Sequence, residues 1–100
     1  MSALGLCKKA GALVRGRDET FSAVSAGKIN TVFIAADISE RSKKEVVNSL
    51  GNDISIISLK YTKEQLGYAA GVKPMAIFSV GNDGLLNLLK NKAAHEEADI

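Results

Sequence analysis

Thr31-Val32-Phe33-Ile34-Ala35-Ala36 is an almost unbroken apolar run, and Met75 to Val80 is a second one. A strand that is apolar at nearly every position has no face to offer to water, so it needs helices over both of its faces. Two inner strands, and hence three layers, follow from these runs. Working outward, Ile54 to Leu59 supplies a third strand in which Ser55 and Ser58 interrupt the apolarity, and Leu13 to Arg15 is a short first strand at or near a sheet edge. The segments between have helical spacing, so the order alternates helix and strand, which is the pattern of an α/β domain. Ser39 to Leu50 is expected to turn Val46, Val47 and Leu50 inward and Arg41, Lys43 and Lys44 to solvent. Thr62-Lys63-Glu64-Gln65 matches a capping box, and the helix it opens is expected to end near Gly71. A last helix from about Asp83 to Lys90 carries Leu85, Leu88 and Leu89 on one face. The expected class is α/β, a three-layer α-β-α sandwich around a four-stranded sheet.

A chain of 100 residues is long enough for one core and too short for two. One domain is expected over residues 1–92, followed by a charged, frayed tail over 93–100 that contains His95, Glu96, Glu97 and Asp99. No apolar run approaches the roughly 20 residues that a membrane span needs. Lys8 and Lys9 follow the apolar residues of the opening segment instead of preceding them, against the pattern of a signal peptide. A cytoplasmic location is the expectation. The lone Cys7 shares a helical stripe with Ala3, Leu6 and Ala10 and reads as a buried thiol. Net charge is only +2, yet Lys8, Lys9, Arg15 and Arg17 all precede the first acid, Asp18, so the opening segment is locally basic.

The chemistry of catalysis is missing. The single histidine, His95, lies among acids in the tail, and Cys7 is far from it in sequence, so neither a zinc site nor a nucleophile–base pair is supported. No glycine-rich phosphate loop or dinucleotide fingerprint is present. Asp37, Asp53 and Asp83 lie near strand ends, where α/β folds place functional residues and where acids also cap the helices that follow or form turns, the favoured reading. The chain is expected to be no enzyme and to need no cofactor. The candidate contact is Gly16-Arg17-Asp18-Glu19-Thr20-Phe21-Ser22, where a glycine ends the first strand and opens a helix. Helix starts expose unpaired N–H groups that gather anions. Asp18 and Glu19 have a second explanation, since carboxylates in a first turn complement the helix dipole.

Leu4-Gly5-Leu6 with Ala10-Gly11, then Leu13-Val14-Arg15-Gly16 and the Asp18-Glu19 helix start, resembles the YlxQ-like bacterial branch of the kink-turn-binding ribosomal protein superfamily. Val32-Phe33-Ile34-Ala35-Ala36-Asp37 is similar to that family's central strand, and Leu66-Gly67-Tyr68-Ala69-Ala70-Gly71-Val72-Lys73-Pro74 to its fourth helix and following loop. The resemblance runs to about Leu89. It implies an α-β-α sandwich with a mixed four-stranded sheet that binds structured RNA, ribosomal or other, at a kink-turn, as a monomer that works on or near the ribosome and without catalysis. The family's Gly-x-Asn-Glu-x-x-Lys, which reads tandem sheared G·A pairs, falls on Gly16, Asp18, Glu19 and Ser22, and its loop over the bulged nucleotides falls on Val72, Lys73 and Pro74. Base edges hidden in regular A-form RNA are open in such a bend. Glu19 can accept from guanine N–H groups, Arg17 and Thr20 can reach phosphates or sugars, and Val72 and Pro74 can pack on an extruded base. Asp18 stands where the family often has Asn, and Ser22 where it has Lys. Both changes lower the expected affinity, and Lys28, with Lys8, Lys9, Arg15 and Arg17, is the candidate compensating charge. The competing expectation is a protein-interaction module that keeps the fold and has lost the RNA.

Overall fold

Nine elements alternate along the computed structural model, which describes residues 2–50 and 53–94. They are α1 (Ala3–Lys9), β1 (Leu13–Arg15), α2 (Arg17–Ser25), β2 (Thr31–Ile34), α3 (Glu40–Ser49), β3 (Ser55–Ser58), α4 (Lys63–Ala70), β4 (Ile77–Val80) and α5 (Asp83–Ala94). The four strands form one mixed sheet in the order β1-β4-β2-β3. β4 runs antiparallel to both β1 and β2, while β2 and β3 are parallel. The inner strands β2 and β4 are buried at every position, as continuous apolarity requires, and the short β1 is an edge. The second edge, β3, is only half-buried at Ile56 and Ile57 and exposed at its two serines.

Alternation along the inner strands divides the interior into two apolar layers. Phe33, Ala35, Phe78 and Val80 face α1, α4 and α5, where they meet Ala3, Leu4, Cys7, Leu66, Ala70, Leu86 and Leu89. Val32, Ile34 and Ile77 face the opposite way, against Val46 and Leu50 of α3 and Phe21 and Val24 of α2. An α-β-α sandwich results. Phe33 and Phe78 are register partners across β2 and β4, and their rings stack with centroids 5.1 Å apart. The buried Ser79 hydroxyl donates to the Thr31 carbonyl, so the one polar side chain within β4 is satisfied by the neighbouring strand. Among the described residues no helix is long and apolar enough to cross a membrane.

Helix ends follow local chemistry. Ser2 accepts from Gly5 N–H and donates to the Ala69 carbonyl, both at 3.1 Å, so one hydroxyl caps α1 and ties it to α4. Thr62 and Gln65 form the expected capping box, at 3.1 and 2.9 Å, and α4 ends at Gly71. Asn82 accepts from Leu85 N–H at the start of α5.

Three expectations about inward faces, and one about a helix end, need correction. Val46 of α3 and Leu50 at its C-cap are buried but Val47 is 55% exposed, because consecutive helix positions point in different directions and Val47 falls off the contacting arc. On α1 the buried stripe is Ala3, Leu4 and Cys7; Leu6 and Ala10 face outward. On α5, Leu86 joins Leu89 as the most buried pair, with Leu85 and Leu88 half-buried at the flanks of the same face. That helix also continues past Lys90 to Ala94, with Ala93 packed against the core, so the helix includes the first two residues assigned to the tail. The remainder of the expected tail, 95–100, lies outside the described residues. Cys7 is fully buried as expected, and burial raises its thiol pKa above the ordinary value while a backbone hydrogen bond draws it partly back.

Candidate functional site

Strand directions bring three distant segments to one end of the sheet. β1 ends at Arg15, opposite Phe78 near the start of β4, and β2 ends at Ile34, opposite Ile77. The end of β1, the loop before β4 and the exit of β2 therefore share one rim. At that rim Gly16 adopts φ +92°, a backbone conformation that other residues take only under strain, and its N–H donates to the Ile77 carbonyl at 3.0 Å. The turn it makes opens α2 with no side-chain cap. Across the rim, Asp37 accepts from Lys63 N–H at 2.8 Å, and Lys63 in turn accepts from Met75 N–H at 3.1 Å. Asp37 thus acts as a helix-start acceptor, but for α4 and not for the helix that follows it, since Ser39 caps α3.

Two open clefts of about 450 and 460 Å³ flank the first turn of α2. The first is lined by Asp18, Glu19, Ser22, Ala23 and Ala26 along the helix, with Val14 beneath and Lys28 at its far end. Glu19 and Ser22, three apart, do share a face, and Lys28 returns to it after the turn at Gly27. The second cleft is bounded by Arg15, Gly16 and Arg17 on one side and by Lys73 to Ile77 on the other, with Ser42 of α3 between. Ten residues were singled out in the sequence. Seven of them, Gly16, Asp18, Glu19, Ser22, Lys28, Lys73 and Pro74, line these clefts as surface groups, and Arg17 joins them with its guanidinium already engaged.

Arg17 is paired with Glu45 of α3 and lies 3.7 Å from Asp18; Glu45 also lies 3.6 Å from Arg41. The remaining two depart from expectation. Thr20 is fully buried, and its hydroxyl donates to the Val14 carbonyl at 3.5 Å, so it reaches neither phosphate nor sugar. As the fourth residue of α2 it falls on the inward arc, beside Phe21, which packs into the α2/α3 layer. Val72 is half-buried against the core beneath α4, which leaves Pro74 as the open apolar surface of its loop. Ser42 and Glu45 escaped the sequence reading, since both are ordinary solvent-side helix residues until the sheet order brings α3 beside Gly16.

The same architecture occurs in other proteins. A Bacillus halodurans protein of unknown function superposes with a TM-score of 0.82 at 24% identity, covering 92% of this chain and 93% of that one. The Giardia lamblia 15.5kD RNA binding protein superposes with a TM-score of 0.71 at 25% identity, covering 96% and 82% respectively. No curated protein matches the chain. A family model extends over residues 1–89, from the first helix through the buried Leu89 of the last, and the chain belongs to the ribosomal protein L7Ae/L30e/S12e/Gadd45 family.

Proposed function

We propose that this protein binds structured RNA at a kink-turn or a similarly bent motif, without catalysis. The observation that carries the proposal is the Gly16 opening of α2. It presents Glu19 and Ser22 on one exposed face, and it stands at the same sheet rim as Lys73 and Pro74. A sharply bent internal loop offers what such a surface can use: unpaired guanine N–H groups for the Glu19 carboxylate, an extruded base for Pro74, and phosphates for Lys28, Arg15 and Lys73. Membership of a family of ribosomal proteins and the RNA-binding Giardia neighbour support this reading. It carries with it a monomer in the cytoplasm, of the YlxQ-like kind, acting on ribosomal or other kink-turn RNA. Titration of a kink-turn RNA in magnesium at two salt concentrations, with tRNA as competitor, tests it. Micromolar or tighter binding that tRNA fails to displace is expected, and equal competition by tRNA would remove the kink-turn claim.

Asp18 favours a second reading. Its side chain is 95% exposed, carries no N–H to donate and repels phosphate, as a surface released from RNA recognition would tolerate. A protein-interaction module would keep its partners in a pull-down after nuclease treatment, whereas RNA-bridged partners would be lost.

A further inference from the structure

The cleft between α2 and the 73–77 segment has three cations at its walls, Arg15, Arg17 and Lys73, and among the described residues no acid lines it. Among the described residues Arg15 and Lys73 form no salt bridge, while Arg17 is bound from outside the cleft. Its Nη1 donates to Glu45 Oε2, and the other Glu45 oxygen, Oε1, lies 3.6 Å from Arg41 Nε. Glu45 is the better placed of the two acids near Arg17: its side chain is 31% exposed, against 95% for Asp18, so water screens the Glu45 charge less. Arg17 is also the first residue of α2, where Gly16 supplies no side-chain acceptor. A carboxylate from α3 thus engages the cation that leads the helix start to which an anionic ligand would come.

We propose that Glu45 is an intramolecular competitor for the anion at the α2 opening, holding the Arg17 guanidinium so that an RNA phosphate reaches it only by displacing the carboxylate. The inference rests on the RNA-binding reading for its ligand and on the Arg17–Glu45–Arg41 arrangement for its mechanism. It makes Glu45 an affinity-setting residue that need not touch RNA. Because Arg17 is neutralised before RNA arrives, its phosphate contact exchanges one anion for another, and the salt dependence of binding is shallower than the number of cations at the site implies. A partly exposed ion pair of this kind weakens a competing contact by about two- to fivefold.

The test compares the wild type, Glu45→Gln, Arg17→Gln and the double variant for affinity toward the kink-turn RNA across a salt series. Glu45→Gln is expected to bind about two- to fivefold tighter at low salt, with a salt slope steeper by about one unit, and the gain should vanish in the double variant. Unchanged or weaker binding by Glu45→Gln overturns the proposal, as does a gain that survives removal of Arg17. A second arm uses inorganic tripolyphosphate and follows the Arg17 Nε–H resonance by NMR. The competitor role predicts that Glu45→Gln saturates at a lower concentration than the wild type; coincident curves overturn it even where no RNA binds. If the curves separate but neither protein binds RNA, the competitor stands and the RNA reading falls.

Discussion

Single residues decide how the rim of this molecule meets a ligand. Ser22 lies on the exposed face of α2 in the cleft shared with Glu19 and Lys28. Ser22→Lys adds a cation there, so RNA affinity should rise and the salt slope should steepen by about one unit; filter binding at two salt concentrations measures both. Gly67 backs the Lys73–Pro74 wall of the second cleft. A Cβ at this position would come within 2.5 Å of the Lys73 carbonyl oxygen and 2.9 Å of Pro74 Cα, and both are backbone atoms that cannot rotate away. Gly67→Ala is expected to cost about 1–3 kcal/mol in urea unfolding. It should also push the 73–74 segment outward and weaken RNA binding, whereas unchanged stability would mean that α4 slides without strain. That Glu19 and Ser22 share an exposed face was legible from their spacing of three. The burial of Thr20 was not, because a threonine in a helix start is equally at home facing water or donating its hydroxyl inward, and only the path of β1 beneath it decides.

At the scale of elements, α4 joins the interior to the rim. Its start is held twice, by the Thr62–Gln65 capping box and by Asp37 accepting from Lys63 N–H. Thr62→Ala should lower stability by about 1 kcal/mol, readable as a lower urea midpoint with an unchanged slope. Asp37 and Thr62 serve neighbouring groups of one helix start, so their double variant should depart from the sum of the singles. Strands and caps were the readable part of the sequence, since a six-residue apolar run and a Thr-x-x-Gln pattern each have a local cause. Helix phase was less readable. α5 carries four leucines within five positions, more than one contact arc can hold, and the depth of Leu86 relative to Leu85 depends on how the helix leans on Phe78 and Val80. The same ambiguity placed Val47 inside when only Val46 of α3 and Leu50 at its C-cap are buried.

For the whole molecule, two apolar layers lie on either side of one sheet, and they are unequal in size. The layer beneath α1, α4 and α5 contains the stacked Phe33 and Phe78, both fully buried. Phe33→Ala should cost about 3–5 kcal/mol, a large share of the roughly 5–15 kcal/mol that holds a domain together, and thermal unfolding checks it. A loss below 1 kcal/mol would show that the neighbouring side chains close the cavity. The α2/α3 layer has less to bury, and the rim at the end of the sheet is assembled from Gly16 at the start of α2, Ser42 of α3 and Lys73 of the loop before β4. What no local pattern could reveal is the assembly of that rim from segments far apart in the chain, which depends on β4 inserting between β1 and β2.

That insertion sets a schedule. β4 is the last strand among the described residues, yet it lies between β1 and β2 and hydrogen-bonds to one of them along each edge. While the chain is being synthesised, Leu13 waits for Val80 and the Gly16 amide waits for Ile77. The parallel pair β2 and β3 can form earlier, with α3 laid across it, but β1 has no strand to join and the second cleft lacks its far wall. The rim is thus completed only once the chain extends past Ile77, and a nascent protein stopped before that residue has α2 without the strand that frames its start.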